Sequence, residues 1–196
     1  MSNVDAANGF TPLYHLHGGT VRYNGGYTIA SALASDIFLG DTVIQTITGQ
    51  GTDIDVGVVG GPNLGIFAGC SYVDANGDVR WAKQWISGTA TLGGVAAEAF
   101  VYTDPSIVYS VQCDATVDAD EINEFMDIVA GSGNTATGVS GFELAVSSAA
   151  ATILQFRVLR FANAPTGIET STTASLFPRV ECQMAETPEI AELVGP

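Results

Sequence analysis

Basic residues are scarce in this chain. Its 196 residues include six Lys and Arg against 21 Asp and Glu, and Lys83 is its single lysine. The formal net charge is therefore -15 at pH 7. Binding to a nucleic-acid backbone draws much of its free energy from Lys and Arg placed on phosphates. We therefore expect no nucleic-acid partner.

Cysteines and long apolar runs are also few. The three cysteines, Cys70, Cys113 and Cys182, are too few and too scattered for a disulfide framework, so we expect unpaired, packed thiols. The sequence MSNVDAANGF lacks the basic start and the apolar core of a signal peptide. No apolar run approaches the roughly 20 residues that span a bilayer. We expect a protein made in a cytoplasm, without a membrane partner.

Charge of either sign is sparse. Charged residues make up 14% of the chain, where about 25% is usual. The chain has 23 glycines and a mean hydropathy of +0.28. This composition favours a protein that buries much of its surface against neighbours and keeps its acidic residues on the part that stays wet. An acidic protein from a salty habitat is the alternative.

Short strand-like runs separated by turn residues fill most of the sequence. In one of them, Leu154, Phe156 and Val158 alternate with Gln155 and Arg157, as expected of a strand with one buried face. The pattern predicts an all-β fold, a β-sandwich or barrel of short antiparallel strands. The runs are TVRY, DTVIQTIT, DIDVGVV, IVYSVQC, FELAVS, ILQFRVLRF and RVECQM.

The two ends differ from this pattern. We expect one β-rich domain at residues 18–184, an N-terminal arm at 1–17 and an acidic C-terminal tail at 185–196. The N-terminal segment carries Phe10, Leu13 and Tyr14 without a clear period. Free ends of this kind usually fray, so we expect a neighbouring subunit to hold these extended arms.

One segment has helical spacing. In VDADEINEFMDIVAGSG, Asp118 is a candidate N-cap and Glu121 lies three residues further on, as in a capping box. The following apolar residues recur at helical intervals. We therefore predict one short amphipathic helix over about 118–130, covering an end or an edge of the sheets. The apolar residues are Ile122, Phe125, Met126 and Val129.

The stretch YVDANGDVRW has two interpretations. Asp74, Asn76 and Asp78 alternate like the first ligands of a calcium loop, but Val79 and Trp85 stand where that loop needs Gly and Glu. Asn-Gly is also the most favoured pair for a two-residue hairpin turn. We predict the hairpin, with Asn76–Gly77 as its turn, Tyr72 opposite Trp81, and no metal.

Signals for catalysis are weak. His15 and His17 would share a face of a strand, but a catalytic zinc site usually needs a third protein ligand, which the sequence does not identify. The paired carboxylates Asp53 with Asp55, and Asp118 with Asp120, have a spacing that is common by chance. No nucleophile elbow and no phosphate-binding loop occurs in the sequence. We expect no catalytic residue, no cofactor and no bound metal.

Trp81 and Trp85 would lie on one strand face with Val79 and Lys83. Two tryptophans in this arrangement more often fill a core or a protein interface than a sugar-stacking platform. We keep both interpretations and favour the core or interface.

Four stretches, in this order, resemble the head decoration, or capsid-stabilising (cement), proteins of tailed bacteriophages. The stretches are GGYTIASALASDIFLGDTV, GIFAGCSYVDANGDVRWAKQW, VYTDPSIVYSVQCDA and LQFRVLRFANAP. The resemblance covers roughly residues 18–165 and consists of glycine turns and strand residues, without a catalytic motif.

The resemblance implies a non-enzymatic virion protein on the outer surface of the head. Such a protein binds the major capsid protein, bridges neighbouring capsomers and often forms dimers or trimers. We take the aromatic and aliphatic side chains of the arm and the two tryptophans as candidate contacts, namely Phe10, Leu13, Tyr14, Trp81 and Trp85. The alternatives are a carbohydrate-binding or adhesin module on the virion surface and, less favoured, a tail-associated glycosidase.

Overall fold

The computed structural model describes residues 4–46, 51–162 and 176–186, and this part of the chain is all-β, as predicted. Its strands are β1 (Thr11–His15), β2 (Asn24–Ile29), β3 (Ile37–Phe38), β4 (Thr42–Gln45), β5 (Ile54–Val56), β6 (Gly65–Val73), β7 (Val79–Ala82), β8 (Gln84–Trp85), β9 (Ala97–Tyr102), β10 (Ile107–Gln112), β11 (Phe125–Met126), β12 (Ile128–Val129), β13 (Glu143–Leu144), β14 (Phe156–Phe161) and β15 (Arg179–Met184).

Two larger antiparallel sheets organise these strands. The five-stranded sheet has the order β1-β10-β15-β14-β11. The six-stranded sheet has the order β2-β9-β6-β4-β5, and β7 pairs with the far end of β6. The remaining short strands form two separate pairs, β12 with β13 and β3 with β8.

Two clusters of buried apolar side chains form the core, and the one on the five-stranded sheet also includes Ile66 of β6. The cluster on the five-stranded sheet includes Tyr109, Phe156 and Val158, and the cluster on the six-stranded sheet includes Phe67 and Trp85. All three cysteines are buried in these clusters and are unpaired, as predicted. Burial raises the pKa of the Cys70 thiol to about 12 and keeps it protonated at neutral pH.

The N-terminal segment belongs to the domain, and the prediction of an arm held by a neighbour is wrong for residues 10–15. Strand β1 pairs with β10 at the edge of the five-stranded sheet. Phe10 is 1% exposed, and its ring stacks on Phe156 at a centroid distance of 4.3 Å. The Phe10 amide donates to the Gly40 carbonyl at 2.9 Å. A large aromatic side chain gains more from this core than from a free arm, so the segment folds back onto its own chain.

The predicted helix over about 118–130 is also wrong. The expected capping contact exists, because the Asp118 amide donates to the Glu121 carboxylate at 2.6 Å, but it closes only a 3₁₀ turn at Ala119–Glu121. Asn123 then has a φ of 75°, which a right-handed helix does not continue. The next residues form β11 and β12. β11 pairs with β14 and Met126 is buried, and these tertiary contacts stabilise the strand more than the local helical spacing favours a helix.

The hairpin at residues 74–78 is confirmed, but its register differs from the prediction by one residue. Tyr72 pairs with Arg80, not with Trp81. The loop contains three residues, because the Asp74 amide donates to the Asp78 carbonyl at 2.9 Å and Gly77 takes a φ of 92°. The Asp74 carboxylate accepts the amides of Asn76 and Asp78, and this favours the longer loop.

A buried glutamine joins the two large sheets. Gln155, which is fully buried, lies just before β14 of the five-stranded sheet. Its side-chain amide donates to the carbonyls of Val58 and Gly61 at 2.9 and 2.7 Å, in the connection between β5 and β6 of the six-stranded sheet. Its side-chain oxygen accepts the amides of Ile128 and Gly60 at 3.0 and 3.2 Å. The prediction that Gln155 faces solvent is therefore wrong.

The C-terminal end is described only to residue 186. The Asn63 backbone amide donates to the Glu186 carbonyl at 3.2 Å, so the chain just after β15 contacts the connection between β5 and β6. The rest of the predicted acidic tail, residues 187–196, lies outside the described residues. In the described ranges, no helix has the length and apolarity needed to cross a membrane.

We predict that Phe10→Ala lowers the free energy of unfolding by about 3–5 kcal/mol, because it removes a fully buried ring that stacks on Phe156. Leu13→Ala is the matched control, since Leu13 is 44% exposed in the same segment. Chemical denaturation of both variants measures the difference. Equal, small losses in the two variants would show that residues 10–13 act as an arm.

We predict that Gln155→Glu destabilises the fold by more than about 3 kcal/mol, because a buried carboxylate would face the Val58 and Gly61 carbonyl oxygens with no proton to donate. Gln183→Glu is the control, since Gln183 makes a single side-chain bond to the Pro105 carbonyl and is only partly buried. Thermal and urea unfolding compare the two. A Gln155→Glu variant as stable as the control would contradict the joining role.

Candidate functional site

Strand β9 places its large side chains on the outer face of the six-stranded sheet. Ala97, Ala99 and Val101 are buried and point towards the core. Because successive strand residues point to opposite faces, Glu98, Phe100 and Tyr102 share the other face, on which Glu98 is exposed, Phe100 is half-buried and Tyr102 packs against the cluster of the five-stranded sheet. The outer face therefore carries aromatic side chains, while small residues face inwards.

A row of aromatic rings forms across this outer face. Gly69 of β6 pairs with Phe100 and has a φ of 131°, and a Cβ atom at Gly69 would lie 2.9 Å from the Ala82 carbonyl oxygen. Glycine is therefore required at position 69, and no side chain there separates the Trp81 ring of β7 from the Phe100 ring of β9. The Trp81 ring stacks on Phe100 with centroids 5.4 Å apart and planes 6° from parallel. Tyr23 continues the row at 5.2 Å from Phe100.

An apolar pocket lies beside these rings. Its volume is about 290 Å³, and its lining includes Val73, Val79, Leu92 and Val95. The exposed fractions of these four residues are 37%, 65%, 51% and 67%. We call the rings Tyr23, Trp81 and Phe100 together with these four residues the exposed apolar face. Exposed apolar surface of this kind often marks a binding site.

Polar side chains border the exposed apolar face. Ser71 is the cross-strand neighbour of Trp81 and lies 3.5 Å from the Glu98 carboxylate. On the opposite face of β7, at the hairpin end, Arg80 donates to Asp74 at 2.8 Å and lies 3.5 Å from Asp78. The Arg80 guanidinium, helped by two backbone amides, lowers the pKa of Asp74. The polar neighbours on the outer face are thus one hydroxyl and one carboxylate.

Two of the five predicted contact residues are unavailable to a partner. Phe10 lies in the core, as described above, and Trp85 is fully buried, with its ring edge-on to Tyr72 at 5.6 Å. The prediction that Trp81 and Trp85 share a strand face is wrong, because β7 ends at Ala82 and Trp85 pairs with Ile37 of β3. For Trp85, the core interpretation is confirmed.

Leu13 and Tyr14 lie on the five-stranded sheet, away from the exposed apolar face. Leu13 is partly exposed, next to an irregularity in the pairing of β1. The Tyr14 hydroxyl donates to Glu181 at 2.7 Å and accepts from Arg160 at 3.2 Å. Burial and the bond to Glu181 raise the pKa of Tyr14. Tyr14 is therefore held by its own domain. Trp81, by contrast, is 71% exposed.

The two histidines form local structural contacts. The His15 Nε2 atom lies 3.0 Å from the Asp104 carboxylate, and its Nδ1 accepts the amides of His17 and Gly19. Both ring nitrogens of His15 are thus occupied. Within residues 4–46, 51–162 and 176–186, no group of three or more His, Cys, Asp or Glu side chains is placed to hold a metal ion.

The carboxylate pairs also have local partners. Thr28 donates to the Asp53 carboxylate, and the Val56 amide donates to the Asp55 carboxylate at 2.7 Å. Asp118 belongs to the 3₁₀ turn described above. These contacts give both pairs a role in turns and strand ends.

Sequence reasoning did not single out Tyr23, Leu92, Val95 or Phe100. A signal for Phe100 exists in AEAFVY, where Glu98 shares its alternation with Phe100 and Tyr102. A glutamate in that set indicates a side that solvent reaches, so partial exposure of Phe100 beside it was predictable. The other three lie outside regular strands, where alternation gives no orientation.

Comparison of the chain with protein-family models, with curated proteins and with solved structures finds no match.

We predict opposite solvent access for the two tryptophans. Trp85→Phe leaves Trp81 as the only indole, and its fluorescence should be strongly quenched by acrylamide in dilute solution, because Trp81 is 71% exposed. Trp81→Phe leaves the buried Trp85, whose emission should be blue-shifted and several-fold less quenched. Equal quenching of the two variants would contradict the exposed apolar face.

Proposed function

We propose that the chain is a non-enzymatic structural protein that binds the outer surface of a phage capsid and stabilises it by bridging neighbouring capsomers. The observation that carries the proposal is the exposed apolar face, a pocket and a row of rings held on a single sheet. The resemblance to head decoration proteins supplies the identity of the partner, the major capsid protein.

The composition of the face suits a protein partner. The cores of protein interfaces are depleted in charge and enriched in aromatic residues. Trp81 and Tyr23 are 71% and 53% exposed, and Leu92 and Val95 stand beside them. The pocket can take an apolar side chain of a partner, with Glu98 and Ser71 at its border for polar contacts.

The rigidity of the face also supports the proposal. Trp81 lies on β7 and Phe100 on β9, both strands pair with β6, and the two rings hold each other by stacking. Leu92 lies in a 3₁₀ turn that is closed by a hydrogen bond from the Thr91 hydroxyl to the Val95 carbonyl at 2.7 Å. Side chains fixed before binding lose less conformational entropy when a partner docks.

The docking mechanism therefore differs from the one expected from the sequence. The sequence predicts docking through an arm that carries Phe10, whereas the proposed contact is a preformed face of the six-stranded sheet. The net charge of -15 fits a protein whose remaining surface is exposed to water on the outside of a particle.

Capsid binding tests the proposal. Heads of the virus that encodes the chain, stripped of this protein, are mixed with purified wild type, with Leu92→Asp/Val95→Asp and with Ile153→Asp. Ile153 is the matched control, because it is a 55% exposed aliphatic residue that does not line the pocket. We expect the double variant to lose at least about ten-fold in affinity, since charge would be buried in an apolar contact. The wild type and the control should co-sediment with heads and raise their melting temperature. Failure of the wild type to bind would refute the proposed function.

A carbohydrate-binding or adhesin module is the second candidate, and the Trp81 ring favours it. The ring is exposed and has the Ser71 hydroxyl and the Glu98 carboxylate close by. An exposed ring with polar neighbours suits stacking against a sugar. Saccharide binding that is lost in Trp81→Ala, together with no binding to heads, would favour this function over the first.

A further inference from the structure

Strand β7 has an open edge. It pairs with β6 on one side, and on its other side no strand of the described ranges pairs with it. The hydrogen bond from the Asp74 amide to the Asp78 carbonyl makes these two residues a hydrogen-bonded pair, and this fixes which of the following pairs in the hairpin are hydrogen-bonded. Because bonded and non-bonded pairs alternate, Arg80 directs its backbone groups to β6. Val79 and Trp81 direct their N–H and C=O groups to the open edge.

The side chains of this edge are exposed and apolar. Val79 is 65% exposed and Trp81 is 71% exposed, and both point to the outer face of the sheet. Open edges with apolar side chains pair readily with another strand. The segment is therefore suited to strand addition, in which backbone bonds supply affinity and alternate side chains supply specificity.

We propose that a second copy of this chain occupies the edge, so that two β7 strands pair antiparallel about a twofold axis at Arg80. The segment is self-complementary in this register. Val79 lies opposite Trp81 of the partner subunit, and Trp81 lies opposite Val79 of the partner subunit. These are the residues whose backbone groups face the edge, so about four hydrogen bonds form between the two copies. A twofold contact uses the same surface on both copies and closes at a dimer.

The charges along the edge fit the same register. Arg80 stands opposite Arg80 of the partner subunit, but each guanidinium already has Asp74 at 2.8 Å. Diagonal neighbours on one face of a sheet also interact. In this register each Arg80 is diagonal to Asp78 of the partner subunit, and Asp78 has a 68% exposed side chain. The hairpin thus supplies the carboxylates that offset the two facing cations, despite the overall charge of -15.

The pairing joins the outer faces of two six-stranded sheets into one. Trp81 of each copy covers Val79 of the other on that face, while Leu92 and Val95 remain uncovered. The dimer is a property of the isolated protein and does not depend on the proposed capsid function.

A cross-link at the axis tests the register. Cα atoms of residues in a non-bonded antiparallel pair lie about 4.5 Å apart, within the range of a disulfide. Arg80→Cys should therefore give a disulfide-linked dimer under mild oxidation. Asp78→Cys and Ala82→Cys are controls on the same face. In this register residue 78 lies opposite residue 82 of the partner subunit, so neither variant brings its two new cysteines together. The native cysteines are all buried and contribute no background.

Sedimentation equilibrium of the unmodified protein gives the second measurement. At about 100 µM we expect twice the monomer mass of 20.2 kDa. Val79→Pro removes an outward N–H and is tolerated on an edge strand, so it should give a folded monomer. A monomeric wild type, a different oligomer, or a dimer that cross-links at the control positions but not at residue 80 would overturn the inference.

Discussion

The side chain of Gln155 is the polar contact on which the arrangement of the two sheets depends. Its amide and oxygen together bind the connection between β5 and β6 on one side and the start of β12 on the other. The Gln155 side chain itself is removed from water, and an unpaired buried group costs about 1–3 kcal/mol. A single glutamine of the right length binds several backbone groups at once. Apolar contact also joins the sheets, because Ile66 of β6 is buried in the cluster of the five-stranded sheet.

The exposed apolar face exists because β9 carries small side chains on its core-facing side and larger ones on its outer side. Small residues, Ala97 and Ala99, fill the narrow space beneath the sheet, while Phe100 stands on the outside. Gly69 leaves room over the middle strand, and Trp81 crosses it to reach Phe100. The core therefore needs no large side chain at these positions. Their aromatic neighbours are free to serve a partner, which is the physical basis of the proposed function.

Patterns confined to one strand or turn were predictable, and long-range contacts were not. Alternation gave the all-β class, and Asn76 with Gly77 gave the hairpin. The loop length was wrong because the Asp74 carboxylate selects a longer turn. Helical spacing at residues 122–129 was wrong because pairing with β14 decides that segment. Trp81 was placed among the candidate contacts, but the burial of Phe10 and Trp85 depends on residues distant in sequence.

The five-stranded sheet contains both ends of the described chain, and this determines when folding can finish during synthesis. Strand β1 begins at Thr11, but β10 starts at Ile107 and β15 at Arg179, so β1 leaves the ribosome long before its sheet exists. Contacts between such distant segments form slowly. Prematurely terminated chains would lack β15, the strand between β10 and β14. Only chains translated past Met184 can close this sheet, so shorter products are left open to proteolysis.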